Sequence, residues 1–124
     1  MSVSNYAELK ILEHLTGKTA WTAPTTVYIK LHLADPGEDG TVSPAANTTR
    51  VAAAWATAAS GSISTNATIS WSNVPNAETY SHWSAWDTVG PTGGNCLWYG
   101  ALSSSATVAI GDTFEITSLT LTLD

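Results

Sequence analysis

The stretch YSHWSAWDTVGPTGGNCLWYGA, residues 80–101, decides the fold. Two runs rich in aromatic and small residues flank Gly93-Gly94-Asn95, which reads as two antiparallel strands joined in a hairpin. With period-two alternation over 80–87, Trp83 and Ala85 face one way, while His82, Ser84 and Trp86 face the other. Trp98 and Tyr99 point to opposite faces of the next strand. One ring of each pair can fill a core, and the second is then left on the outer face among small Ser and Ala residues. An exposed apolar patch of that kind marks a contact surface. A protein partner is the favoured reading, and stacking on sugar rings is its competitor.

The same alternation runs outward from the hairpin in both directions. TTVYIKLHLA (25–34) sets Val27, Ile29, Leu31 and Leu33 on one face, with Tyr28, Lys30 and His32 on the other. ADPGEDG (34–40) follows as a turn, expected to be solvated. RVAAAWATAA (50–59), SGSISTNATISWSNVP (60–75) and ATVAIGDTFEITSLTLTLD (106–124) supply further short strands, the last placing Leu119, Leu121 and Leu123 in register. Only NYAELKILEHLTGK (5–18) has helical spacing. Asn5 and Glu8 form a capping-box pattern, and Gly17 stands where a left-handed cap belongs. Leu9, Leu12 and Thr16 follow helical spacing with Tyr6, Ile11 and Leu15 alongside, and Lys10, Glu13 and His14 fall on the other side. The expected fold is mainly β: an antiparallel β-sandwich or jelly roll of about seven to eight strands, with one short N-terminal helix at about 6–16. A chain of 124 residues makes this a single domain over 1–124, with strands from about 26 to 123.

Composition excludes several function classes. Charged residues make up 11% and hydrophobic ones 44%, a surface suited to burial between neighbours more than to solvation. The net charge is −6, and residues 51–124 carry five acids and neither Lys nor Arg. Nucleic acid and anionic membrane are therefore excluded as partners, since both need cations. No charged-then-apolar leader and no apolar span of about 20 residues are present, so synthesis in the cytoplasm without a signal peptide is expected.

Catalytic and metal signatures are missing, and no cofactor is expected. His14, His32 and His82 lack zinc spacing and read as surface or satisfied histidines. Asp35, Glu38 and Asp39 lack the alternating oxygen pattern of a calcium loop. Neither Glu78 with Asp87 nor Asp112 with Glu115 has a reason to form a glycosidase pair. Cys96, the single cysteine, reads as a small buried hydrophobe. The expected protein contacts are Trp21, Tyr28, Trp86 and Trp98.

The chain resembles a family of small virion proteins of tailed double-stranded DNA phages, often labelled tail-fibre proteins. The residues that carry this are A-D-P-G (34–37), G-G-N-x-L-x-Y-G-A-L (93–102) and G-D-T-F (111–114), in that order, together with the opening helix and the terminal LTLTLD. The resemblance implies a non-enzymatic β-sandwich of the virion. Shaft repeats, heptads and collagen-like segments are lacking, so a capsid decoration or cement subunit, or a spike base, is the expected role. The alternative is a tail-fibre module that binds host-surface glycan. The implied partners are its own copies, as a homotrimer, and the major capsid protein or another virion protein.

Overall fold

A computed structural model describes residues 1–123. The chain is 40% strand and 9% helix, an antiparallel β-sandwich. Its elements are β1 (Ser2–Val3), α1 (Asn5–Leu15), β2 (Val27–His32), β3 (Val51–Ala53), β4 (Ser62–Ser64), β5 (Ile69–Trp71), β6 (Glu78–Trp86), β7 (Cys96–Val108), β8 (Phe114–Ile116) and β9 (Thr120–Thr122). β6 and β7 are the expected hairpin and the centre of the main sheet, ordered β1-β7-β6-β2-β3. Two small sheets, β4-β9 and β5-β8, complete the sandwich. The strand count exceeds the expected seven to eight because Ser2 and Val3 pair with Tyr99 and Trp98 ahead of the helix.

Alternation assigns the faces of the main sheet. Ile29 pairs with Ala85 and Leu31 with Trp83, and all four are buried in one apolar core with Ile69, Trp71, Ile116 and Leu121 of the small sheets. Tyr80 joins that core although it lies an odd number of residues from Trp83. A register shift between Tyr80 and His82 permits this: β6 advances two residues there while β7 advances five, from Ala101 to Ala106, which breaks the alternation. Phe114 packs edge-on against Tyr80, 5.2 Å between ring centroids. Trp71 stands 5.8 Å from Phe114 and donates its indole N–H to Thr49 O. Leu33 and Leu123, expected in register with core leucines, fall just past the ends of β2 and β9 and are exposed.

The other face of the main sheet is covered as well. The segment around Gly40 and Val42 and the Arg50 side chain fold back across it, and α1 packs beside β7. His32 is fully buried there. Its Nδ1 lies 2.9 Å from Val42 O, and its Nε2 lies 2.7 Å from Ser84 Oγ. A carbonyl can only accept, so Nδ1 carries the proton and Nε2 accepts from Ser84. Ser84 in turn accepts the indole N–H of Trp86 at 2.7 Å. Burial holds the His32 pKa down to about 4.

The ADPGEDG turn is exposed at Ala34, Asp35, Glu38 and Asp39, as its composition suggests, but Pro36 and Gly40 are buried and anchor it to the sheet. Glu38 accepts the Tyr99 hydroxyl at 2.6 Å, and Gly40 is buried against Cys96 and Trp86. The helix start also differs by one residue. Ser4, not Asn5, is the N-cap: its hydroxyl oxygen accepts the Ala7 N–H and donates to Cys96 O, tying helix to sheet. Gly17 ends the helix at φ +72° as expected. The N–H of Gly17 bonds His14 O and that of Lys18 bonds Glu13 O, the paired bonds of a Schellman cap.

Candidate functional site

Each expected contact residue has a definite place. Trp86 is 5% exposed, so the expectation of an outward-facing ring at that position is corrected. Its ring lies between two cations: Arg50 Cζ is 4.1 Å and Lys30 Nζ 5.8 Å from its centroid. Half of the four basic residues are used at this one ring. Arg50 also donates from Nη1 to Thr88 O, Thr88 Oγ1 and Gly93 O, at 3.0–3.1 Å. It thereby ties the Gly-rich β6–β7 loop to the sheet. Burial depresses the pKa of both Lys30 and Arg50, each being largely cut off from water. Tyr28 is half-buried and sits directly across from Trp86 in the β2–β6 ladder.

Trp98 and Trp21 meet elsewhere. Trp98 pairs with Ala85 and so projects from the core-side face. With Trp21, Val27, Trp55, Ile63 and Leu121 it lines an apolar groove of about 230 Å³. The indole N–H groups of Trp55 and Trp98 are buried with no hydrogen-bond partner. The tryptophans near the Gly-rich turn are thus dispersed. Trp83 is core, Trp86 is covered by Arg50 and Lys30, and Trp98 lines the apolar groove.

Two surfaces were not anticipated. Ala7 is the residue of α1 fully buried against the sheet, with Tyr6, Lys10 and Ile11 half-buried around it. Ser4 N–H to Leu97 O, and Asn5 N–H to Glu38 O, fix the rotation of the helix at its start. Leu9, Leu12 and Leu15 are consequently turned away from the sheet and are 65%, 59% and 76% exposed. A sequence signal for this existed. With Tyr6, Ala7 and Ile11 on one side and three leucines on another, α1 is apolar around most of its circumference, and one neighbour can cover only half of it.

The second surface is a groove of about 550 Å³ between α1 and residues 20–25. Tyr6 and Trp21 meet edge-on there at 6.3 Å and 80°. Leu97 and Asp87 come from the β6–β7 hairpin, and Lys10 and Pro24 complete the lining.

Among the described residues no three His, Cys, Asp or Glu side chains are placed to hold a metal ion. Glu78 accepts the N–H groups of Ala46 and Asn47, Asp87 those of Asn95, Asp112 that of Ala109, and Glu115 the Ser70 hydroxyl. Burial pushes the Cys96 thiol up to about 12, so it stays protonated. No helix among the described residues is long and apolar enough to cross a membrane.

The acids of the hairpin and the small sheets hold loops and strands in place, while the leucines of α1 and the two grooves leave apolar surface uncovered. The family model of the podophage GP4 fiber I protein gp80 matches residues 2–124, and the chain belongs to that family. No curated protein sequence matches it. The expected phage virion family is thereby shown, and the tail-fibre alternative fits it better than capsid decoration does.

Proposed function

We propose that the chain is a non-enzymatic structural subunit of a podophage tail fibre, joined to its neighbours through the leucine row of α1. The observation that carries the reading is that row: three leucines, each more than half exposed, on a helix whose orientation is fixed by backbone bonds. Fibre membership is supported by the family match over nearly the whole chain. Covering a leucine contributes about 1.5–3 kcal/mol, so the row supplies roughly 3–6 kcal/mol when the already covered part is discounted. Association costs about 4–15 kcal/mol. The leucines therefore serve as the centre of a larger contact, with about 800 Å² per partner needed for a stable one. A second copy of the chain is the partner we favour, in a closed oligomer, because an isologous helix contact lets each row cover the other.

Sedimentation equilibrium on the purified chain tests this. The native protein should form a discrete oligomer, and Leu9→Lys with Leu12→Lys should sediment as a folded monomer. An oligomer that survives both changes would refute the role of the row. Labelling of particles with antibody to the chain then separates fibre from head, and label spread over the capsid would restore the decoration reading.

A further inference from the structure

The groove between α1 and residues 20–25 has a composition unlike the rest of the surface. Its walls are the Tyr6 and Trp21 rings, its floor is Leu97, and its polar groups are the Asp87 carboxylate and the Lys10 ammonium. Pro24 stiffens the outer wall, since its ring fixes φ. The volume of about 550 Å³ falls within the range of small-ligand sites, roughly 300–1,000 Å³.

Asp87 is held in advance of any ligand. The backbone N–H of Asn95 bonds one carboxylate oxygen at 2.8 Å, and the Asn95 side-chain amide bonds the other at 2.9 Å. Each oxygen has a second lone pair, so the pair remains able to accept from two adjacent hydroxyls. Lys10 Nζ lies 3.9 Å from a Glu13 oxygen and 5.8 Å from the Tyr6 ring centre, which leaves it donors to spare.

We propose that this groove binds a neutral pyranose sugar, its apolar C–H face on Trp21, the Tyr6 ring at its edge and two neighbouring hydroxyls on Asp87. A pyranose has an apolar face and a rim of hydroxyls, which is the pattern the groove complements. A purely apolar ligand would cover the remaining lone pairs of Asp87 and the spare donors of Lys10 without filling them. The adjoining groove at Trp98 has no polar side-chain groups in its lining other than the three indoles of Trp21, Trp55 and Trp98, which can only donate, and so offers a sugar no side-chain acceptor. The inference is independent of fibre assembly, because Leu9, Leu12 and Leu15 do not line this groove.

The test is saturation-transfer NMR on the full chain with methyl glycosides of glucose, galactose, mannose, rhamnose and N-acetylglucosamine as probes. A small open site gives dissociation constants on the order of 1 mM or weaker. Transfer to the ring protons of at least one probe is expected, weakened about tenfold or lost in Trp21→Ala and in Asp87→Asn, and kept in Leu12→Lys. In the unaltered chain the Trp21 indole cross-peak, assigned with Trp21→Phe, should shift on titration while the buried Trp71 indole stays in place. Absence of transfer from all five probes overturns the proposal. So does transfer that persists in Trp21→Ala, or an equal response to methyl cyclohexyl ether, which has the ring without the hydroxyls.

Discussion

Gly40→Ala should destabilise the fold far more than Gly17→Ala, although both glycines have φ near +73°. Both substitutions force an L residue into the left-handed region, at about 1–2 kcal/mol. At Gly17 an added Cβ meets nothing within 4 Å, so that strain is the whole effect. At Gly40 the same atom would stand 2.6 Å from Cys96 Sγ, 2.9 Å from Cys96 Cβ and 2.9 Å from the Trp86 ring. Cys96 is 4% and Trp86 5% exposed, so neither can move into solvent. Overpacking of this kind adds about 1–3 kcal/mol, giving roughly 2–5 kcal/mol in total. At about 4 °C per kcal/mol for a chain of this size, Tm should fall about 4–8 °C for Gly17→Ala and 8–20 °C for Gly40→Ala. Differential scanning calorimetry at matched protein concentration measures both. Adding Cys96→Ala should recover about 1 kcal/mol in Gly40→Ala, because the sulfur is the closest obstacle. Equal Tm losses for the two glycines would refute the packing of Gly40 on Cys96 and Trp86.

Arg50→Met keeps a stem over Trp86 but removes three hydrogen bonds to the β6–β7 loop; a loss of about 2–3 kcal/mol and faster proteolysis within residues 88–94 are expected. His32 makes stability pH-dependent: the unfolded chain takes a proton near pH 6.5, the folded one only near 4, so the unfolded state holds the extra proton between. Stability should therefore fall as pH drops from 6.5 to 4 and level off below, and His32→Gln should flatten that slope in urea titrations at stepped pH. Cys96, buried and with its pKa pushed up to about 12, should resist a thiol reagent at pH 8 in the native state and react at once in denaturant.

Alternation was sufficient wherever a ladder runs unbroken. Trp83 and Ala85 against Ser84 and Trp86, and Ile29 and Leu31 against Lys30 and His32, follow from period two alone. It was insufficient at Tyr80, where the bulge places an odd-spaced ring in the core, and no local residue type marks that step. Burial of the second face was also out of reach. Periodicity says which side chains share a face, but what lies over that face is non-local. Trp86 was expected to be exposed because it faces away from the apolar core, and it is covered because Arg50, 36 residues earlier in sequence, returns across the sheet.

The helix shows why the contact residues were the hardest to read. Its sequence offers two apolar sides, and propensity alone does not choose which one meets the sheet. The choice is made by three bonds at its start, Ser4 Oγ to Cys96 O, Ser4 N–H to Leu97 O and Asn5 N–H to Glu38 O, all to residues more than 30 positions away. Once those are formed, Ala7 is the residue pressed on β7, where its small side chain permits close approach, and the longer leucines are carried outward. A cap displaced by one residue, from Asn5 to Ser4, thus belongs to the same set of bonds that leaves Leu9, Leu12 and Leu15 exposed. If those bonds set the orientation, Ser4→Ala should weaken self-association as well as lower Tm, whereas Asn5→Ala should leave both close to the native values.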